Sequence, residues 1–476
     1  MSASGTSATH AHARAPASLT PFSALFAASL VAVGAILASR SYDRAPSLPR
    51  SAWPSGGAAQ LARERRPALL FGSPSDVWPA RALWNASYLK DQLRHQELVV
   101  WQQQPAADGA VFVYFADGGE TGGGASGMRS PPCSEAAGGG AAARVKREVM
   151  RAGAFFDASP ASRLYCSASL AKLGPVARDV APLLPFAVAE VAGSDIDPIV
   201  WLGTAHVITQ AHYDTSHNFF IQLVGRKRFW VWPPSSYNAL RIFPSRHSLH
   251  RQSSLSSLPA AATAQPFEVT LSPGDVLYLP PFWFHHVEAL DHFSVSVAVW
   301  SESAEAHRKE LIDTLALPWE ADWALERIAA AASAYVRSLL ESVHHSTHAA
   351  RQALRALVFR FEQLLQLPVG EQESLLEAPG DVVRLCLEPS VLRQSIGKVG
   401  DVRVPIAMEF DALRESMNSH VKQAVVRAAV AIRNVSNDLA VIHLVLDNYL
   451  EAVSHFVTGS TTQIYGYLKE CCLRGW

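Results

Sequence analysis

Residues 208–234 read ITQAHYDTSHNFFIQLVGRKRFWVWPP, and residues 272–287 read SPGDVLYLPPFWFHHV. In both stretches, short apolar runs follow a period close to two and are bounded by Gly, Pro or Asp at turns. The same pattern recurs in FEVTL and FSVSVAVW, and no helical pattern separates the runs. Many short strands of this kind predict a β-barrel or β-sandwich over about residues 164–300.

The two quoted stretches also contain candidate metal ligands. His212 and Asp214 lie two positions apart on a predicted strand, so their side chains project from the same face. An isolated H-x-D pair is common by chance, but an antiparallel barrel returns the second stretch beside the first and offers a further histidine. Strand alternation allows only one of His285 and His286 to point inward. Two histidines and one carboxylate leave three metal positions open, which suits Fe(II) and oxygen chemistry.

Composition limits the class of protein. The chain has 476 residues, more than one core usually holds, and 49% of them are hydrophobic. The formal net charge is −1, from 41 basic and 42 acidic residues, which argues against a nucleic-acid partner. The five cysteines show no C-x-x-C metal spacing and no disulfide-dense pattern, so they do not indicate a redox compartment.

The N-terminal region contains one long apolar run, FSALFAASLVAVGAILA at residues 22–38, after residues 1–21, which we predict to be disordered. The run is at the short end of what spans a bilayer. We favour a single-pass membrane anchor of the endomembrane system, and a cleaved signal of a secreted protein or an organelle-targeting sequence are the alternatives. Sequons at Asn85 and Asn434 suit a lumenal domain, whereas the arginines that follow the run suit a cytosolic one.

The rest of the chain divides by composition. Residues 39–66 are rich in Pro, Ser, Gly and Arg and are typical of a linker. Residues 67–301 form the predicted strand-rich domain, interrupted at 117–143 by a Gly/Ala/Ser-rich segment that we predict to be a disordered insertion. Residues 302–476 show Ala, Leu, Glu and Arg at helical spacing and predict a helical bundle. The expected fold class is therefore α+β.

The quoted stretches, with HSLHRQSS at 247–254 and SVSVAVW at 294–300, resemble the JmjC-type, cupin-like 2-oxoglutarate oxygenases. The resemblance is greatest to the subgroup of the asparaginyl hydroxylase of hypoxia-inducible factor and covers about residues 67–301. It implies a double-stranded β-helix, that is, a cupin or jelly-roll barrel, with Fe(II) and 2-oxoglutarate as cofactors. It also implies hydroxylation of a protein or peptide side chain, with release of succinate and CO2, and a homodimer formed through the C-terminal helices. A lysine demethylase, a non-catalytic cupin-fold scaffold and a metal-dependent sugar isomerase are the alternatives.

The family's iron ligands, carried over by position, fall on His212, Asp214 and His285. The lysine that pairs with the far carboxylate of 2-oxoglutarate corresponds to Lys227 in VGRKRFW. Without the resemblance, Lys227 between two arginines is interpreted as an exposed strand lysine. The resemblance assigns further residues to cofactor binding or to the lining of the site, namely Thr209, Tyr165 and Asn218.

One position departs from the family pattern. The subgroup often has a polar residue near the end of its final barrel strand, where this chain has Ala298. Ser296 lies on the same predicted face, and we expect it to compensate in part. We interpret His217, His247 and His250 as loop or surface residues, and the Cys471-Cys472 pair as surface thiols.

Overall fold

The structure is a computed structural model, and the chain divides into residues 1–45 and residues 46–476. The structure describes only residues of the second unit: 46–103, 145–246, 249–255, 258, 262–319, 323, 325–364, 419–459, 463–474 and 476. The predicted disordered N-terminus 1–21, the apolar run 22–38 and the insertion 117–143 lie outside these residues. Within the described part, no helix combines the length and the apolar character needed to cross a bilayer.

The described strands follow the period-two runs of the sequence. In chain order they are β1 (Arg50–Ala52), β2 (Ala68–Phe71), β3 (Glu97–Gln103), β4 (Val145–Arg151), β5 (Leu164–Ser169), β6 (Asp197–Thr204), β7 (Ile208–Tyr213), β8 (His217–Val224), β9 (Lys227–Trp232), β10 (Phe267–Leu271), β11 (Val276–Leu279), β12 (Phe284–Ala289) and β13 (Phe293–Ser301). They form a larger sheet in the order β1-β2-β11-β8-β13-β6-β5-β3-β4 and a smaller sheet in the order β10-β9-β12-β7. All pairings are antiparallel except β1 with β2.

Side chains from both sheets meet in one core, which contains Phe220 of β8, Phe229 of β9 and Val287 of β12. Phe219 and Ile221 of β8 point the other way, into a second core with the helices outside the larger sheet. Two sheets that share an inner core are the architecture of a jelly roll. In the described part of the chain neither sheet closes on itself, so the architecture is two-layered, as in the β-sandwich alternative, and the closed barrel that the sequence also predicted is not formed by these residues.

Helices cover the outside of the larger sheet. They are α1 (Gly57–Glu64), α2 (Ala80–Leu83), α3 (Ala86–Gln92) and α4 (Ala152–Asp157). Helix α1 lies within the stretch 39–66 that was predicted to be a linker, and it buries Leu61 in the second core. A short amphipathic turn between Pro- and Gly-rich flanks gives little sequence signal, and its stability comes from that burial.

The C-terminal part of the described chain is helical. Its helices are α5 (Ala304–Asp313), α6 (Leu325–His344), α7 (Thr347–Leu364), α8 (Ser419–Arg433), α9 (Leu439–Thr458) and α10 (Ile464–Gly466), which continues as a π-helix, Tyr467–Leu473. The Asp438 side chain caps the start of α9, and Gly459 ends it in the left-handed conformation at φ 68°. Cys471 and Cys472 are buried in this region, so their interpretation as surface thiols was wrong.

Candidate metal centre and its cavity

Strands β7 and β12 place the candidate ligands opposite each other. The two strands pair antiparallel in a register that sets His285 directly across from His212, with an irregularity between His285 and Val287. Asp214 follows the end of β7, and its carbonyl oxygen accepts a hydrogen bond from the backbone N–H of Phe282 at 2.7 Å. Phe282 has a φ of 65°, so a left-handed turn leads the chain back into β12 beside the first two residues.

The three predicted ligands converge. One ligand atom each from His212, Asp214 and His285 lies within 4.8 Å of the others. The distance from His285 Nε2 to Asp214 Oδ2 is 3.8 Å, and the centroids of the two imidazole rings are 4.2 Å apart. Both histidines are buried. Two imidazoles and a carboxylate at these separations can bind one metal ion and leave one side of it open.

Backbone carbonyls set the orientation of both imidazoles. Nδ1 of His212 lies 2.8 Å from the carbonyl oxygen of Gln210, and Nδ1 of His285 lies 3.3 Å from that of Trp283. An Nδ1–H that donates to a carbonyl leaves the Nε2 lone pair for a metal. Burial lowers the pKa of His212 to about 3, with a further contribution from His285, and burial also lowers the pKa of His285. Both rings are therefore neutral near pH 7, as metal binding requires.

His286 occupies a different environment from its neighbour. It is buried, and its ring lies 5.3 Å from that of Trp230, so it is neither solvent-facing nor a member of the converging group. Nδ1 of His286 has no hydrogen-bond partner among the residues that the structure describes. The two adjacent histidines thus provide a ligand candidate and a matched non-ligand.

A cavity extends from the three converging residues into the space between the sheets. The residues Tyr165, Thr209 and Asn218, which the sequence assigned to this region, all line it. Its remaining walls are aromatic or aliphatic: Trp201, Phe220, Phe229, Val287 and Trp300. Tyr165 stacks on Trp201 with ring centroids 5.2 Å apart and an interplanar angle of 20°. The side chain of Asn218 is buried, and its Oδ1 has no partner within the described part of the chain.

Lys227 is buried beside the wall of this cavity and is not the exposed strand lysine that its flanking arginines indicate. Its side chain is 1% exposed, and Nζ lies 5.4 Å from the Tyr165 ring and 5.1 Å from the Phe220 ring. Nζ has no hydrogen-bond partner among the described residues. Burial lowers the pKa of Lys227 to about 7. An unpartnered buried amine is costly, and an anionic ligand group would remove that cost.

Ser296 does not line the cavity. Its hydroxyl donates to Oε1 of Gln222 at 2.8 Å, and the Gln222 amide nitrogen in turn donates to the carbonyl oxygens of Val224 and Gly225. Ser296 therefore supports the turn between β8 and β9, which leads directly into Lys227. The structure brings its hydroxyl to this turn and not to the other predicted cofactor residues.

His217 is fully buried at the start of β8, so its interpretation as a loop or surface residue was wrong. Its Nδ1 lies 2.9 Å from the Tyr278 hydroxyl, and its Nε2 lies 2.7 Å from the Arg65 guanidinium and 3.1 Å from the Glu190 carboxylate. Arg65 also pairs with Glu305 at 2.7 Å. This network ties α1 and α5 to the outer face of the larger sheet, away from the cavity.

Gln252 is a second residue whose position the sequence did not predict. Its backbone forms a bridge with His212, and its side chain is 2% exposed. Neither amide atom of Gln252 has a partner within the described residues. Only its membership of the HSLHRQSS stretch connected it to the site in the sequence. His250, in the same stretch, is partly exposed, and His247 lies outside the described residues.

Comparisons with known proteins cover the same region. The sequence profile of the cupin-like domain family matches residues 56–307, more than half of the chain. An HSPB1-associated protein 1 homolog of Danio rerio is 35% identical over 117 residues, which cover 22% of this chain and 26% of the relative. Lysine-specific demethylase JMJ31 of Arabidopsis thaliana is 34% identical over 112 residues, 22% of this chain and 20% of the relative. Lysine-specific demethylase 8 of Xenopus tropicalis is 34% identical over 118 residues, 23% and 26% of the two chains.

The match to each of these relatives is therefore local. The aligned part spans a fifth to about a quarter of the length of each relative. It shows a shared domain.

Proposed function

Because the chain belongs to the cupin-like domain family, with JmjC-type relatives, we propose that it is an Fe(II)- and 2-oxoglutarate-dependent oxygenase that hydroxylates a protein side chain. Members of the JmjC family use these two cofactors. One observation carries the proposal: a His-Asp-His group and an unpartnered buried lysine adjoin the same cavity.

The donor set fits Fe(II) with a keto acid. Two neutral imidazoles and one carboxylate are the facial set that non-haem Fe(II) oxygenases use. The keto acid end of 2-oxoglutarate would bind the metal, and its second carboxylate would then lie in the cavity. Burying that carboxylate among aromatic side chains is unfavourable unless a cation is present. Lys227 lies against the cavity wall and lacks an anionic partner among the described residues.

The chain's own residues have distinct tasks in the reaction. His212, Asp214 and His285 would hold the ion, and the carbonyls of Gln210 and Trp283 would keep the imidazoles in the binding tautomer. When bound, Fe(II) and 2-oxoglutarate supply the oxidising chemistry: the keto acid and O2 become succinate and CO2, and one oxygen atom enters the substrate C–H bond.

Inside the cavity, binding and exclusion of water are combined. The Lys227 ammonium would bind the far carboxylate, and Thr209 and Tyr165, which line the cavity, would donate hydrogen bonds to the same ligand. Phe220 and Phe229 contribute apolar surface to the cavity, which would strengthen the ion pair by excluding water. The protein would thereby position the substrate C–H bond near the three metal-binding residues.

Lysine demethylation is the second candidate, favoured by two of the relatives named above. It begins with the same hydroxylation of a C–H bond, in this case on an N-methyl group, and ends with loss of formaldehyde. The formal net charge of −1 shows no general excess of acidic residues that would attract basic histone tails. We therefore place hydroxylation of a protein side chain first and demethylation second.

The deciding experiment is an anaerobic Fe(II) titration of the full chain, with and without 2-oxoglutarate. We expect a weak visible metal-to-ligand charge-transfer band that requires both components. Addition of O2 should then produce succinate, and formaldehyde release from a methyl-lysine peptide would identify the demethylase. A well-folded chain that shows no band in the presence of both components would contradict the proposal and favour the scaffold.

Two neighbouring substitutions give a matched control. His285→Ala should abolish the charge-transfer band, because it removes one of three ligands. His286→Ala, which removes an equally buried imidazole one residue away, should retain the band. Loss of the band in both variants would assign the effect to disruption of β12 and not to coordination.

A further inference from the structure

The outer face of β7 contacts the C-terminal helices at the residue between the two predicted metal ligands. His212 and Asp214 project into the cavity, so strand alternation directs the side chain of Tyr213 to the opposite face. There it is buried, with only 3% of its surface exposed. This position is separated from the metal centre by the thickness of one strand.

Tyr213 touches the other ligand-bearing segment as well as its own. Its ring stacks on Phe282, with centroids 5.7 Å apart and an interplanar angle of 21°. It also packs edge-on against Phe284, the residue before His285, with centroids 5.4 Å apart. The backbone N–H of Phe282 donates to the carbonyl of Asp214. One ring on the outer face thus contacts the segments that carry all three predicted ligands.

The hydroxyl of Tyr213 is bound by helix α9. Nδ2 of Asn448 donates to it at 3.3 Å, and both side chains are buried. The two residues are 235 positions apart in sequence. In a buried site a single hydrogen bond between neutral groups is short-ranged and directional, so it fixes the ring and the helix relative to each other.

Helix α9 is itself held against the segment that follows β9. One turn after Asn448, Glu451 accepts a hydrogen bond from the backbone N–H of Ser245 and pairs with the buried guanidinium of Arg360. The same segment reaches β7, since the backbone N–H of Ser253 donates to the carbonyl of Ala211 at 2.7 Å. The helix and this segment therefore contact β7 at Tyr213 and Ala211, two positions apart on the strand that carries His212.

We infer that helix α9 positions β7, the strand that carries His212 and leads into Asp214, and that Tyr213 and Asn448 are positioning residues for the proposed Fe(II) site. The inference rests on the proposed function and adds that the helical region controls metal affinity from outside the cavity. Residues that orient metal ligands from behind have large effects on affinity, because a small rotation of a ligand lengthens its bond to the metal.

The test uses Tyr213→Phe, Asn448→Leu and the double variant in the full chain. Tyr213→Phe keeps the ring contacts with Phe282 and Phe284 and removes only the hydroxyl. We expect each single variant to weaken Fe(II) binding about tenfold in anaerobic titrations with 2-oxoglutarate, the lower end of the range for residues that orient ligands. In the metal-free protein, amide hydrogen exchange of residues 208–213 should also be faster.

The double variant separates positioning from stability. Replacement of both hydrogen-bonding partners by apolar groups restores much of the thermal stability that a single unpaired group loses. We expect the double variant to unfold near the wild-type temperature and to keep the weakened Fe(II) binding. Recovery of wild-type affinity together with stability would overturn the inference.

Tyr335→Phe is the matched control. Tyr335 on α6 forms a buried hydroxyl-to-hydroxyl hydrogen bond of 2.9 Å with Tyr449, the residue after Asn448, and its ring packs edge-on against Trp319. Neither of these two partners belongs to β7 or β12. Tyr335→Phe should leave Fe(II) affinity unchanged. An equal loss in this variant, or wild-type affinity in the two single variants, would overturn the inference alone. Failure of the wild-type chain to bind Fe(II) would overturn the proposed function and the inference together.

Discussion

Two cations buried to the same extent differ in what surrounds them. Lys227, at the cavity wall, and Arg360, in the helical region, are each only 1% exposed. Arg360 pairs with the carboxylate of Glu451, has Asp447 at 3.6 Å and lies over the Tyr237 ring. Lys227 has aromatic neighbours and no anion within the described residues. The chain supplies the counter-charge for Arg360, whereas under the proposed function the counter-charge for Lys227 comes from a ligand.

Among the substitutions that test this comparison, Glu451→Gln should cause the largest change in the free energy of unfolding. It leaves the Arg360 guanidinium buried without its main counter-charge, and we expect a loss of about 3–5 kcal/mol in the free energy of unfolding, toward the lower end because Asp447 remains nearby. Denaturant unfolding of the metal-free chain measures it. Glu362→Gln is the control: its pair with Lys469 is more than one-third exposed on both sides, and the loss should stay below about 1 kcal/mol. Equal losses would contradict the distinction.

Lys227→Met should have the opposite effect on stability and should weaken the binding of 2-oxoglutarate. It removes a charge that has no partner until 2-oxoglutarate binds, so the metal-free chain should become more stable by about 1–3 kcal/mol. Affinity for 2-oxoglutarate should fall about 100-fold, since a charge-assisted contact of roughly 3 kcal/mol is lost. Isothermal titration with Fe(II) present measures the affinity. Arg228→Met, one residue away and partly exposed, should change neither quantity, and a destabilised Lys227→Met chain would show that Lys227 has a structural partner.

The pH dependence of stability and of 2-oxoglutarate affinity tests the same role of Lys227. Burial lowers the pKa of folded Lys227 to about 7 from 10.5, so the folded state holds fewer protons than the unfolded state between these values. The cost of the buried charge is complete below pH 7 and disappears as pH approaches 10.5, so the stability advantage of Lys227→Met should shrink over that window. Affinity of the wild type for 2-oxoglutarate should fall up to about tenfold per unit above pH 7 as the ammonium deprotonates. A pH-independent affinity in the wild type would contradict this assignment.

Thr209→Val gives the smallest expected effect. It replaces a cavity-lining hydroxyl with a methyl group of similar shape, so we expect 2-oxoglutarate to bind about fivefold more weakly, the value of one neutral hydrogen bond. Fe(II) affinity in the absence of 2-oxoglutarate should not change. If 2-oxoglutarate affinity is retained, the hydroxyl serves β7 and not the cofactor.

The sequence could predict the parts of the fold that are determined by residues close together in the chain. The strands β6 to β13 follow runs with period two and turn residues at their ends, and the convergence of His212 and Asp214 follows from their spacing on one strand. The choice between His285 and His286 had no local cause, because both are buried. It depends on how β12 lies against β7, and before the structure only the family resemblance favoured His285.

Residues whose role depends on distant partners could not be predicted. His217 appeared to be a loop histidine because Arg65, one of its partners, lies 152 residues away. Helix α1 was not predicted, and Cys471 and Cys472 were wrongly interpreted as surface residues. The reason is the same in both cases, because composition alone does not show which residues will cover a short segment. Ser296 was expected to face the cofactor because it shares a face with Ala298, yet position along the strand takes its hydroxyl to Gln222.

The covered outer face of β7 has a practical consequence for protein production. A fragment that stops at the compositional boundary near residue 301 would lack α9, which contacts Tyr213, and would leave this side of the Tyr213 ring uncovered. Such a fragment would be prone to aggregate, and an inactive preparation of it would say nothing about the native chemistry. Expression of this cupin-like domain should therefore retain the residues through α9.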